Sequence, residues 1–183
     1  MSDRVILDSG HLKLIIRRLA LQLVENHPDA DKTVLIGLQP RGILLGERIK
    51  NELTDRGFDK GYEFGMLDVT FYRDDFRRRE KPLIPSATNI DFLVEGKTVI
   101  LMDDVFFTGR TVRSGLDAML AFGRPRKVEL MVLIERRFRA HLPIVPTYIG
   151  HSVDTIQGEH VAVKWQQTDG IDQVILISEE HGG

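Results

Sequence analysis

The chain has 183 residues, 42% of them hydrophobic and 28% charged, with a formal net charge of -2 and no cysteine. That composition fits one globular domain spanning 1–183 with a self-sufficient core. It excludes disulfides, zinc–thiolate sites and cysteine nucleophiles, and it argues against a globally basic nucleic-acid binder, although a local basic face can hide in an acidic total.

The N-terminus lacks a basic start followed by a long apolar run, so no signal peptide is expected. No stretch approaches the 18 apolar residues of a membrane span. Asp8 or Ser9 can cap a helix whose apolar face is Leu12, Ile15, Ile16, Leu19, Leu23 and Val24. "NHPDAD" breaks that pattern. "TVLIGL" (33–38) is short and apolar, as a buried strand requires, and "QPRG" follows it. Ile43, Leu45, Ile49 and Leu53 make one face of a second helix that stops near Gly57. Leu67, Val69 and Phe71 alternate with polar residues, which predicts a strand. Residues 73–91 are charged and proline-rich without pattern. In a compact domain such a segment is functional or disordered.

"KTVILM" is the next buried strand. Val112, Leu116, Met119 and Leu120 define a helix ended by Gly123 and followed by Pro125. "KVELMVLIE" is another strand, and "RRFRAHLPIVP" a second irregular segment. "TYIG", "VAVKW" and "QVILIS" supply short strands, and "EEHGG" is a loose tail. Alternating strand, loop and helix predicts an α/β fold with a mainly parallel twisted sheet flanked by helices. Ligands would bind outside the carboxyl ends of the strands.

The chemistry concentrates in "VILMDDVFFTGRT" (99–111). Thr108, Gly109, Arg110 and Thr111 lead into a helix start, where backbone N–H groups lack partners and the dipole is positive. Hydroxyls and free amides around a glycine make a phosphate cradle. Asp103 and Asp104 precede it, and carboxylates accept hydrogen bonds from hydroxyls. A ribose 5-phosphate, a diol near a phosphate, fits both features. Taken alone, two adjacent aspartates can be a solvated strand end and Thr-Gly a turn. Neither a G-x-x-x-x-G-K-[ST] nor a helix-opening G-x-G-x-x-G occurs. His141, His151 and His160 lack tight metal-ligand spacing, and Trp165 fits packing in a strand.

That stretch resembles the phosphoribosyl-pyrophosphate signature of type I phosphoribosyltransferases. "FYRDD" (71–75), "TGRTVRSGLDAM", "GRP" (123–125) and "LPI…YIG" (142–150) resemble the PyrR family of pyrimidine-operon regulators with uracil phosphoribosyltransferase activity. The resemblance runs over nearly the whole chain. It implies the type I phosphoribosyltransferase fold with a mobile loop at about 73–91 and a small irregular hood at about 135–150. It also implies formation of UMP and pyrophosphate from uracil and phosphoribosyl pyrophosphate, with Mg²⁺ carried mainly by the substrate rather than by a dedicated protein site.

Residue by residue, the resemblance implies that Asp103 and Asp104 hold the ribose hydroxyls and that Thr108, Gly109, Arg110 and Thr111 hold the 5-phosphate. Gln39, Pro40, Arg41 and Gly42 form the pyrophosphate loop, with Pro40 where the family more often has threonine. Arg73, Asp74 and Asp75 belong to the mobile loop, and Tyr72, just before it, would bind substrate with Asp74. Asp103, Asp104, Arg41 and Arg73 would carry the catalysis. Arg136 opens the hood that reads the base, where the family's Arg-Gly-His-Arg is replaced by Arg136-Arg137-Phe138-Arg139. Partners would be phosphoribosyl pyrophosphate, uracil, UMP and pyrimidine leader mRNA, in a cytoplasmic homodimer or homotetramer without membrane contact. Arg17, Arg18, Arg137, Arg139 and Lys164 are the candidates for an RNA-contacting face, and each can equally be a solvated surface charge. Three readings remain open: a uracil transferase, an RNA-binding attenuator with vestigial catalysis, and a transferase for another base.

Overall fold

The structure, a computed structural model, describes residues 3–72, 87–138, 140–156 and 158–178. Its elements are β1 (Arg4–Leu7), α1 (Ser9–Asn26), β2 (Thr33–Leu38), α2 (Gly42–Asp55), β3 (Glu63–Leu67), β4 (Thr98–Phe106), α3 (Arg110–Met119), β5 (Lys127–Arg137), β6 (Tyr148–Asp154), β7 (Glu159–Lys164), α4 (Gln166–Asp169) and β8 (Gln173–Ser178). Five strands form a parallel sheet in the order β3-β2-β4-β5-β6. Every residue of β2 is buried, as is the first seven-residue run of β4. Strands covered on both faces read as continuous apolar runs, which is why these two are visible in the sequence.

The helices supply that cover. Asp8 caps α1, its carboxylate accepting the His11 N–H at 2.9 Å. Leu12, Leu19 and Leu23 of α1 and Leu45, Ile49 and Leu53 of α2 share one core with Leu35, Ile100 and Met102 of the sheet. On the opposite face, Val112, Ala118 and Met119 of α3 pack with Ile36, Leu38 and Leu101. β2 and β4 are direct neighbours, with Gly37 opposite Met102. The loops at their carboxyl ends therefore lie side by side, one leading to α2 and the other to α3.

Some expectations need correction. β1 is a strand that the sequence pattern did not signal. It pairs antiparallel with β8, and β8 with β7, giving a separate three-stranded sheet. This sheet joins the α1–α2 core through Leu7, Val163, Trp165 and Val174. The hood expected at about 135–150 has strand only at its two ends, because β5 continues through Arg137 and β6 begins at Tyr148. β3 stops at Leu67. Val69 is still buried, but Phe71 sits in a 3-10 turn and is 65% exposed. Leu120 lies beyond the end of α3 and is exposed, so the inner face of that helix is carried by Val112, Gly115, Ala118 and Met119 instead.

At the end of the sheet remote from these loops, Glu129 is buried. Its Oε2 lies 2.8 Å from His27 Nε2 and accepts the Tyr148 hydroxyl at 3.0 Å, while Lys127 Nζ stands 2.6 Å from Oε1. Burial pushes the Glu129 carboxyl up, but the bonds from Lys127, His27 and Tyr148 outweigh it and hold it below its ordinary value. Burial, with the adjacent carboxylate, pushes the Tyr148 hydroxyl up to about 12. A carboxylate with a depressed folded pKa stabilises the fold above its unfolded pKa, and that contribution disappears as the pH falls through the folded value. Glu129→Gln should therefore cost about 1–2 kcal/mol at neutral pH. The cost should shrink on acidification below the ordinary glutamate range, read by thermal melting of both proteins across pH.

Candidate active site

Asp103 and Asp104 lie within β4 rather than after it, since pairing with β5 continues past them to Phe106. Each is only 8% exposed. Side chains alternate along a strand. Leu101 faces α3 and Met102 faces α2, so Asp103 follows the first side and Asp104 the second. The two carboxylates thus leave opposite faces of one strand end. Asp103 Oδ1 accepts the Asp104 N–H at 2.9 Å, which holds the pair in register.

Asp104 Oδ2 is 3.1 Å from Nε of Arg41, the residue immediately before α2. Burial pushes the Asp104 carboxyl above its ordinary value, and the Arg41 guanidinium opposes that shift. The contact depends on Gly42. A Cβ there would stand 2.2 Å from the Met102 carbonyl oxygen and 3.0 Å from Asp103 Cα. Only glycine lets the start of α2 lie this close to the acidic strand. Gln39 donates its N–H to the Leu67 carbonyl at 2.9 Å and its side-chain amide to the Ala87 carbonyl. The Gln39–Pro40 peptide is cis. Thus all four residues of "QPRG" border the strand ends.

On the Asp103 side, a cavity of about 200 Å³ is lined by Asp103, Phe106, Phe107, Thr108, Gly109, Arg110, Thr111 and Ser114. Gly109 takes φ +86°, a left-handed turn that L side chains rarely adopt, and it delivers the chain into the start of α3. The pocket is therefore walled by an acid on one side and by a helix N-terminus on the other. Ser114, which the sequence reading missed, has its hydroxyl 3.1 Å from the Tyr72 carbonyl oxygen. That contact sets Tyr72 beside the pocket. The His141 N–H donates to the Thr108 carbonyl at 3.0 Å and ties the segment after β5 to the same loop.

Other candidates stand outside the Asp103–Ser114 cavity or outside the described residues. Arg136 is buried. It donates to Thr155 Oγ1 at 3.2 Å and to the Glu159 carbonyl at 2.7 Å, and its guanidinium lies 3.9 Å from the Phe107 ring centre. It stacks on Phe107 of the first cavity and lines a second, adjoining cavity with Phe106 and with Phe138, Ala140 and Ile144 of the hood. Phe107 is the wall residue, and its only signal in the sequence was an aromatic inside the signature. Arg18 donates to the Ile149 and Gly150 carbonyls, joining α1 to β6. Arg137 makes a two-pronged pair with Asp154 at 2.7 and 2.8 Å. Arg17 is exposed and Lys164 half-buried. Arg73, Asp74, Asp75 and Arg139 lie outside the described residues.

Among the described residues no three His, Asp or Glu side chains converge as a metal-binding group. The carboxylates at the site are Asp103 and Asp104, oxygen donors suited to Mg²⁺, and Asp104 is already paired with Arg41.

Comparison with known proteins agrees with this geometry. Residues 4–168 match the phosphoribosyl transferase domain. In structure the chain is similar to a hypoxanthine phosphoribosyltransferase from Staphylococcus aureus, with a TM-score of 0.70 and 16% identity, covering 97% of this chain and 93% of that one. It is also similar to the Trypanosoma cruzi hypoxanthine phosphoribosyltransferase in complex with the product IMP, with a TM-score of 0.68, 14% identity, and 96% and 90% coverage. At such identities the likeness establishes the fold. The domain match and the fold define a type I phosphoribosyltransferase.

In sequence, it is 37% identical over 180 residues to the bifunctional protein PyrR of Haemophilus ducreyi, covering 98% of this chain and 99% of that one. It is 39% identical over 171 residues to the bifunctional protein PyrR of Desulfosudis oleivorans, covering 93% and 94%. The chain belongs to the PyrR family.

Asp104→Asn keeps the volume and removes the charge opposite Arg41. It should leave the protein folded and lower the phosphoribosyl-transfer rate by about tenfold or more. In the unmodified protein the acid limb of the rate profile should lie above 3.8, the ordinary aspartate value, because burial raises this carboxyl. Circular dichroism and initial rates across pH check both outcomes.

Proposed function

We propose that this protein transfers the phosphoribosyl group of phosphoribosyl pyrophosphate to uracil, giving UMP and pyrophosphate, and that it also acts as a UMP-responsive, RNA-binding regulator of pyrimidine genes. One observation carries the catalytic reading. A buried acidic pair at the end of β4 separates a helix-start cavity on one side from an arginine-bearing loop on the other. The resemblance of "FYRDD" and "LPI…YIG" to the PyrR family supports uracil over purines and orotate.

In this reading the ribose lies across the end of β4, with Asp103 and Asp104 accepting its hydroxyls from the two faces. Its 5-phosphate enters the cavity, where the amides of Gly109 to Thr111 and the Thr108 and Thr111 hydroxyls receive it. Arg41 meets the departing pyrophosphate beside Gln39, Pro40 and Gly42, and the resemblance assigns Arg73 and Asp74 to the same role. The ribosyl centre becomes oxocarbenium-like as the C1–O bond breaks and N1 of uracil bonds to C1, and nearby carboxylates stabilise that charge. Holding diol, phosphate and base together removes up to about 7–11 kcal/mol of entropic cost. Phosphoribosyltransferases generally use Mg²⁺ with phosphoribosyl pyrophosphate, and here the metal would neutralise the leaving polyanion while held mainly by the substrate. Phe107, braced by Arg136, walls the cavity that receives the phosphate.

For the regulatory half, Arg17, Arg18, Arg137 and Arg139 are the candidates for RNA contact, with Arg18 and Arg137 also bonded within the chain. Residues 1–183 would act as one unit within a homodimer or homotetramer. No helix among the described residues is long and apolar enough to cross a membrane.

The deciding assay is nucleotide formation from phosphoribosyl pyrophosphate and Mg²⁺ with uracil, hypoxanthine or orotate in parallel. Uracil should be used at least about a hundredfold better, by kcat/KM, than the other two. Equal use of hypoxanthine would defeat the uracil assignment. For regulation, pyrimidine leader RNA should bind more tightly with UMP and lose affinity steeply as salt rises. Binding that is indifferent to UMP would argue against a nucleotide-responsive regulator.

A further inference from the structure

The β7–β8 turn is fastened to α2 and to the loop before it by two arginine–aspartate pairs. Arg48 holds Asp172 with two parallel bonds of 2.9 and 2.7 Å, and its guanidinium stacks over Trp165 at 4.8 Å. One helical heptad earlier, Arg41 reaches the same turn. Its Nη2 donates to the Val163 carbonyl and lies 3.3 Å from Asp169 Oδ2. Asp169 is itself immobilised. The Trp165 N–H donates to its Oδ2 at 2.9 Å and the Thr168 hydroxyl at 2.7 Å. The first of these bonds is also the main reason its carboxyl stays below the ordinary aspartate value.

A guanidinium has five N–H donors in a rigid plane. In Arg41, Nε faces Asp104, and Nη2 faces Val163 and Asp169. Nη1 makes no hydrogen bond to a described residue, so its two N–H groups form the edge left for an anion. With three donors anchored, the direction of that edge is set. Val163 and Asp169 belong to the small antiparallel sheet and the turn after it, not to the sheet that carries the signature. One element therefore aims a side chain whose ligand sits on another.

We propose that Asp169 is a positioning residue that locks the Arg41 fork between itself and Asp104, so that Nη1 points at the pyrophosphate end of the substrate. This rests on the phosphoribosyltransferase reading above, and it adds a residue outside the signature that sets affinity for one end of one substrate. Without Asp169, Arg41 would keep its bonds to Asp104 and to the Val163 carbonyl but lose the opposing charge on Nη2, so the fork would be held less firmly where pyrophosphate arrives. Asparagine at this position would still offer an acceptor but would lose the carboxylate charge opposite the guanidinium, and so would hold the fork less firmly.

The test is steady-state kinetics and ligand-dependent melting of the full chain, comparing Asp169→Asn, Asp169→Glu and Asp172→Asn. Asp169→Asn should raise KM for phosphoribosyl pyrophosphate about five- to tenfold, leaving kcat and KM for uracil within about twofold. Asp169→Glu should restore most of the loss. Asp172→Asn loosens the same turn without touching Arg41. It should lower the melting temperature yet leave KM for phosphoribosyl pyrophosphate unchanged. In melting, Asp169→Asn should need about five- to tenfold more magnesium pyrophosphate than the unmodified protein for an equal upward shift.

An unchanged KM and an unchanged pyrophosphate requirement in Asp169→Asn would overturn the proposal. So would an equal rise of KM in Asp172→Asn, which would make the effect a general loosening of the turn. If the unmodified protein made no nucleotide from any of the three bases, the functional reading would fail. The melting comparison would still decide whether Asp169 aims Arg41 at pyrophosphate.

Discussion

A carboxylate taken almost wholly out of water needs a compensating charge, and for Asp104 that charge is Arg41. Burial alone would drive Asp104 towards its neutral form, which is the weaker hydrogen-bond acceptor. The guanidinium keeps the ionised form accessible without allowing water in. Much of the surrounding architecture can be understood as keeping Arg41 within reach. Gly42 removes the Cβ that would strike the Met102 carbonyl and hold α2 away. β2 and β4 are adjacent, so the arginine-bearing loop opens beside the acids instead of across the sheet.

The second acid depends on a different constraint. Because side chains alternate along β4, adjacent aspartates do not share one environment. One faces the α3 side and lines a cavity, and the other faces the α2 side and pairs with a cation. This alternation answers the problem of two neighbouring negative charges. Each is met from its own face, and their mutual repulsion is reduced by the backbone between them. In the proposed function, it also lets one strand end serve a ligand with two anionic ends, one group in the α3 cavity and the other near Arg41.

Beyond the strand ends, the small antiparallel sheet contributes more than cover. Its Val163 and Asp169 bind Arg41, and the Glu159 carbonyl binds Arg136, which in turn stacks beneath Phe107. Both the arginine-bearing loop and one wall of the cavity are thus buttressed from this sheet. The first core, shared by Leu7, Val163 and Trp165 with α1 and α2, fixes where the buttress stands. Glu129, His27 and Tyr148 perform the comparable service at the opposite end of the large sheet, joining the end of α1 to β5 and β6.

Local pattern was enough to announce β2, β4 and the two helices that flank them, because strands buried on both faces are uninterrupted apolar runs and amphipathic helices repeat every three to four residues. The "DDVFFTGRT" run also revealed its chemistry directly, since an acid pair, a left-handed glycine and a helix start are consecutive in the chain. β1, with four residues and a mostly exposed pattern, carried no such periodicity and became a strand only by pairing with β8. The fates of the arginines were likewise invisible. Arg18, Arg41, Arg136 and Arg137 look alike in sequence, and their partners stand 131, 63, 19 and 17 positions away. Which arginine meets a ligand, which braces an aromatic wall and which ties a helix to a strand depends on contacts between segments distant in the chain, and only the folded arrangement sets those.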